Sequence, residues 1–92
     1  MAIPDYQTIM LPLLKITADQ QEHSMRKATE ELSKHFSLTE DEQTELLPSG
    51  TQKVFYSRVG WAGTYMKKAG LLEALRRGFF RITSRGLDVI SN

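Results

Sequence analysis

The sequence contains no cysteine. That excludes a disulfide framework and any thiolate metal site, and it fits a reducing cytoplasm. No apolar run approaches the roughly 18 residues that a membrane span needs, and there is no signal peptide, so Met1 reads as a true start and no membrane partner is expected. Histidine is scarce: His23 and His35 lie twelve apart with no third ligand at metal spacing, which argues against a metal site. No serine, histidine and acid arrangement stands out as a triad. Glu40, Asp41, Glu42 and Glu45 cluster without a partner lysine and read as a solvated capping turn. No catalytic residue and no cofactor is expected, and the chain reads as non-enzymatic. Acid is also scarce late in the chain, where Glu73 and Asp88 are the only two acidic residues after Gln52.

That last absence exposes the main feature present. The net charge of +1 conceals a split: residues 1–52 carry −5 and residues 53–92 carry +6. Such asymmetry points to a polyanion-binding face. The 92 residues suffice for one small domain with a modest core, spanning 1–92 without a linker or repeat.

Hydrophobic spacing divides the chain into elements. Tyr6, Ile9, Met10, Leu13 and Leu14 follow a helical stripe, with Pro12 expected to kink the helix or leave its first part irregular. A second helix is predicted from about Ser24, its cap, to Phe36, burying Met25, Ala28, Leu32 and Phe36. Thr39 with Glu42 forms a capping box for a short helix that should end near Leu47, before the turn at Pro48-Ser49-Gly50. A long helix is predicted over Val54–Lys68, closed by Gly70. Its apolar side holds Val54, Phe55, Val59, Ala62, Tyr65, Met66 and Ala69. Opposite lie Ser57, Gly60, Gly63, Thr64 and Lys67, with Trp61 and Lys68 at one border and Arg58 intruding on the apolar side. Two short strands flank Arg76-Arg77-Gly78, and Thr83 caps a last helix carrying Leu87 and Ile90. In the second strand Phe80 and Ile82 face the core and Arg81 points away from it.

Two helices, a short helix, a long helix, a basic hairpin and a terminal helix make an α+β, mostly α plan: a winged helix, the helix-turn-helix variant with a β-hairpin wing. In helix-turn-helix proteins the recognition helix enters the major groove of DNA. On the long helix, Ser57 and Thr64 can donate to phosphate or base edges, Gly60 and Gly63 permit close approach, and Lys67 supplies charge. Arg76 and Arg77 at the hairpin tip can pair with phosphate oxygens.

The run from Ser57 to Gly86, SRVGWAGTYMKKAGLLEALRRGFFRITSRG, resembles the N-terminal domain of Mrr-type restriction endonucleases. Arg58-Val59-Gly60-Trp61-Ala62, Tyr65 to Leu71, Arg77-Gly78 and Ile82 to Gly86 match. Upstream, Pro4, Leu11 to Leu14, Leu38-Thr39 and Leu47 to Gly50 match as well. The resemblance implies a winged-helix domain that binds double-stranded DNA, often methylated, and precedes a separate PD-(D/E)XK nuclease domain. That nuclease domain is not in this sequence, which looks like an N-terminal portion or a stand-alone relative. Family members often carry a basic residue where this chain has Gly63.

The candidate DNA contacts are Lys53, Ser57, Arg58, Gly60, Thr64, Lys67, Arg76, Arg77 and Arg81. Each has a plainer reading. Arg76 and Arg77 can simply keep a hairpin edge soluble. Lys67 and Lys68 suit a helix C-terminus whatever the function. Arg58 can orient its helix by pairing with a carboxylate. Trp61 and Tyr65, at helical spacing, are expected in the core. Two other functions remain open: an interaction module that dimerises or regulates an attached nuclease through its acidic half, and a stand-alone transcription regulator.

Overall fold

The computed structural model describes residues 3–91. Among the described residues nine elements follow one another: α1 (Tyr6–Ile16), a 3-10 turn (Thr17–Asp19), β1 (His23–Ser24), α2 (Met25–His35), α3 (Glu40–Thr44), α4 (Val54–Lys68), β2 (Leu72–Arg76), β3 (Phe79–Ile82) and α5 (Ser84–Ser91). The fold is α+β, mostly helical, with one small antiparallel sheet. No described helix is long and apolar enough to cross a membrane.

Helices α1, α2, α3 and α5 start where a side chain can satisfy a free N–H group, whereas α4 starts at Lys53 without a side-chain cap. Asp5 accepts from the Thr8 N–H (2.8 Å) and Ser24 from the Lys27 N–H (3.1 Å). At α3 the capping box is complete: the Glu42 N–H donates to Thr39 Oγ1 (3.1 Å) and the Thr39 N–H donates to Glu42 Oε1 (2.8 Å). Thr83 does the same work for α5 by accepting from the Gly86 N–H (3.1 Å). Pro12 lies inside α1, which stays helical from Tyr6 through Ile16, so its first part is regular.

Helix α3 is shorter than expected, ending at Thr44 instead of near Leu47. The chain there has a better use for its backbone. Leu46 bridges Lys53, the Leu47 N–H donates to the Gln52 carbonyl (2.9 Å), and the Val54 N–H donates to the Glu45 carbonyl (2.8 Å). This pairing, closed by the Pro48-Ser49-Gly50 turn, sets the start of α4. The end of α4 is a Schellman motif: Gly70 sits at φ +78°, its N–H donates to Lys67 and the Leu71 N–H donates to Met66.

Strand β3 is central in the sheet order β1-β3-β2. Leu72 pairs with Ile82, Glu73 with Arg81 and Ala74 with Phe80, and a bulge at Leu75 shifts the register so that Arg76 faces Phe79. The first strand was not foreseen. His23 and Ser24 pair with Phe80 and Phe79, and the Met25 N–H donates to the Gly78 carbonyl (2.8 Å), tying the hairpin turn to the start of α2.

The core lies between α1, α2, α4 and the sheet. Ile9, Leu13, Leu14, Ala28, Leu32, Phe55, Val59, Ala62, Met66, Leu72, Phe80 and Ile82 fill it. Phe80 and Ile82 are buried and Arg81 is exposed, as the alternation requires.

Three carboxylates are held below their ordinary range by hydrogen bonds: Asp5 by the Thr8 N–H, Asp19 by the His23 ring, and Glu42 by the Thr39 N–H. A carboxylate with a depressed folded-state pKa stabilises the fold above its unfolded pKa, and that contribution is lost as pH falls through the folded value. Melting temperature should therefore fall as pH drops through and below about 4. Glu42→Gln should flatten part of that drop; an unchanged pH profile in thermal melts would count against it.

Candidate nucleic-acid interface

Helix α4 presents one outward face, rotated from the one its sequence suggests. Gly63 is buried rather than outward: a Cβ built there would lie 3.0 Å from Met25 Cε. Trp61 and Tyr65 are exposed rather than in the core, at 55% and 43%. Met25 of α2 lies against the Gly63 side of α4, whereas Tyr65 stacks on Tyr6 at the start of α1 and stays partly in solvent. The two rings stack with centroids 4.9 Å apart and planes 18° apart.

The outward face is a shallow groove of about 330 Å³ lined by Gln52, Tyr56, Ser57, Gly60, Trp61 and Thr64. Ser57, Gly60 and Thr64 thus come together as expected. A Cβ at Gly60 would meet nothing within 4 Å, so the backbone is open to close approach. The Thr64 hydroxyl is already engaged, donating to the Gly60 carbonyl (3.0 Å). No charged residue lines this groove.

The cations stand at its two ends. At the start of α4, Lys53 is exposed and, with Arg26 and the acids Glu30 and Glu40, lines a cleft of about 500 Å³ against α2 and α3. At the far end lie Lys67 and Lys68, and the Arg85 stem passes near Gly70, with Cδ 3.7 Å from where a Cβ would sit. Lys67 is half-buried, its Nζ 5.9 Å above the Phe80 ring. Sequence reasoning missed Arg26 and Arg85, which gain their meaning only from the neighbours that folding brings.

The hairpin arginines differ in freedom. Arg77 is exposed and has no ion-pair partner among the described residues. Arg76 donates to Glu22 Oε2 (2.9 Å) and lies over the Phe79 ring, 4.1 Å from its centroid. Arg81 pairs with Glu73 directly across the strand (2.6 Å). Arg58 bonds to backbone carbonyls and not to a carboxylate. Its Nη1 donates to the carbonyls of Ile3 (2.7 Å) and Pro4 (3.3 Å), fastening the N-terminal segment to α4. Arg58→Met should therefore lower the melting temperature by about 5–10 °C, from a charge-assisted bond of about 1.5 kcal/mol. It should leave DNA affinity unchanged in a parallel titration.

The model of the Mrr N-terminal domain family matches residues 6–92. The chain belongs to that family. Among curated proteins, the type IV methyl-directed restriction enzyme EcoKMrr of Escherichia coli (strain K12) is 30% identical over 93 residues. The alignment covers 100% of this chain and 30% of that relative. No solved structure matches the chain. In this Mrr N-terminal domain, the segment from Ser57 to Gly86 comprises most of α4, the hairpin and the start of α5.

Proposed function

We propose that this chain is a winged-helix domain that binds double-stranded DNA, with α4 as recognition helix and β2–β3 as wing, and that it delivers DNA to the nuclease domain of an Mrr-type restriction enzyme. The observation that carries this reading is the charge layout along α4: cations at both ends and an uncharged groove between them. A 15-residue helix is about 22 Å long. The major groove is about 12 Å wide and bordered by phosphates on both sides. Lys53 and Arg26 would meet one phosphate row, Lys67, Lys68 and Arg85 the other, and the groove centre would face base edges. Arg76 and Arg77 would reach the flanking backbone. Arg58, spent on the N-terminal segment, and Arg81, opposed by Glu73, are the weakest of the nine candidates.

The name of the Escherichia coli relative makes methylated duplex DNA the first target class to compare with unmodified DNA. The test is a fluorescence-anisotropy titration with duplex DNA across a salt series. Neutralising about four to six phosphates gives a slope of roughly −4 to −5 in log affinity against log salt. A chain that binds no duplex at low salt would overturn the proposal.

A further inference from the structure

Phosphate pairing leaves the middle of the α4 groove unexplained. Trp61 is the single tryptophan of the chain and more than half exposed. Leaving so large an apolar side chain in water forgoes burial that would stabilise the fold. The indole is also braced from behind: it leans on Tyr65 (6.1 Å, 36°), which stacks on Tyr6. Beside it, the open backbone at Gly60 leaves space for an incoming group.

Resting on the DNA-binding reading above, we infer that Trp61 and Gly60 form an apolar reading site for the C5-methyl group of a pyrimidine in the major groove. The groove holds no cation to hold a phosphate; its polar groups come from Gln52, Tyr56, Ser57 and Thr64, the last already donating to its own helix. Beside the open backbone of Gly60 the exposed surface is the Trp61 indole, and what that surface offers is apolar contact. In an intact duplex the base faces are stacked away, and the apolar group presented in the major groove is the pyrimidine C5-methyl. Lys53 at one end and Lys67 and Lys68 at the other place this site centrally between phosphate-binding positions, where base edges lie. Thymine and 5-methylcytosine present the same methyl group, so both are candidate sources.

Three mixed-sequence duplexes decide the matter: one with thymine, one with uracil replacing every thymine, and the uracil duplex with 5-methylcytosine replacing cytosine. Labelled DNA reports affinity, and the emission of the lone tryptophan reports its surroundings. Replacing thymine by uracil should weaken binding about fourfold for each methyl read, the worth of one buried methyl group, and reduce the change in Trp61 emission. Trp61→Ala should bind the thymine and uracil duplexes alike while melting at the wild-type temperature. Recovery with 5-methylcytosine shows that either source is read; no recovery restricts the site to thymine. Equal wild-type affinity and equal emission with the thymine and uracil duplexes would overturn the inference while leaving DNA binding intact. No binding to any duplex would overturn the DNA-binding reading itself.

Discussion

Gly86→Ala should lower the melting temperature by about 10–20 °C, the equivalent of a loss of about 2–3 kcal/mol. In helix α5 alanine would ordinarily gain about 1 kcal/mol over glycine. Here a Cβ would collide with the Leu71 carbonyl oxygen and come within 2.6 Å of Ile82 Cγ1. Neither neighbour can easily yield. The Leu71 carbonyl accepts the Thr83 N–H (3.0 Å), and Ile82 is buried in the core. This is the point where the end of α4, the base of the hairpin and the start of α5 converge. Gly60→Ala is the internal control, since its Cβ meets nothing and only the helix propensity remains. That variant should melt a few degrees above wild type, by a gain of about 0.5–1 kcal/mol. Circular-dichroism melts of both variants test the pair; Gly86→Ala melting at or above wild type would show that α5 does not dock as described.

The second large effect concerns the hairpin tip. Arg76→Ala/Arg77→Ala should weaken duplex binding about tenfold to hundredfold at low salt and reduce the magnitude of the salt slope by roughly 2. The two arginines should not contribute equally. Arg77 is unpaired among the described residues, so pairing with a phosphate would cost it no existing ion pair. Arg76 must first leave Glu22. That exposed pair is worth about 1 kcal/mol at most, so phosphate can displace it, but at some loss of net gain. Arg77→Ala alone should thus cost more affinity than Arg76→Ala alone, and Glu22→Gln should raise affinity severalfold. Anisotropy titrations of the three single variants establish the order. If Glu22→Gln bound more weakly than wild type, the proposed competition would be wrong.

The sequence allowed some of these elements to be read because their signals are local. Helix α4 runs from Val54 to Lys68 as predicted, since the turn at Pro48 to Gly50 and the glycine at position 70 punctuate both ends. Ser24, Thr39 and Thr83 cap as expected, because a cap needs only residues three or four apart. Strand β1 was illegible for the opposite reason. Two residues have no alternation to read, and His23-Ser24 is a strand only because Phe79 and Phe80 arrive beside it. The orientation of α4 was half legible. Periodicity identifies Val59, Ala62 and Met66 as buried but says nothing of which flank a neighbouring helix will cover. Trp61 and Tyr65, expected in the core, and Gly63, expected on the outward side, were accordingly misplaced. The fate of Arg58 depended on backbone carbonyls more than fifty residues away, which no local pattern encodes.

The contact between Gly63 and Met25 joins two positions 38 residues apart in the chain. Any side chain at 63 must push the Met25 terminus aside, so the two sites form one volume shared between α2 and α4. The sum of their sizes should be what evolution holds steady. Relatives with a bulky residue at the position of Gly63 should carry a shorter one in place of Met25, or seat α4 farther from α2 and so present its outer face at a different angle. Gly63→Lys, which would look like a simple gain of charge beside DNA, is then a change in helix seating first, and pairing it with Met25→Ala should recover the stability that the single substitution loses.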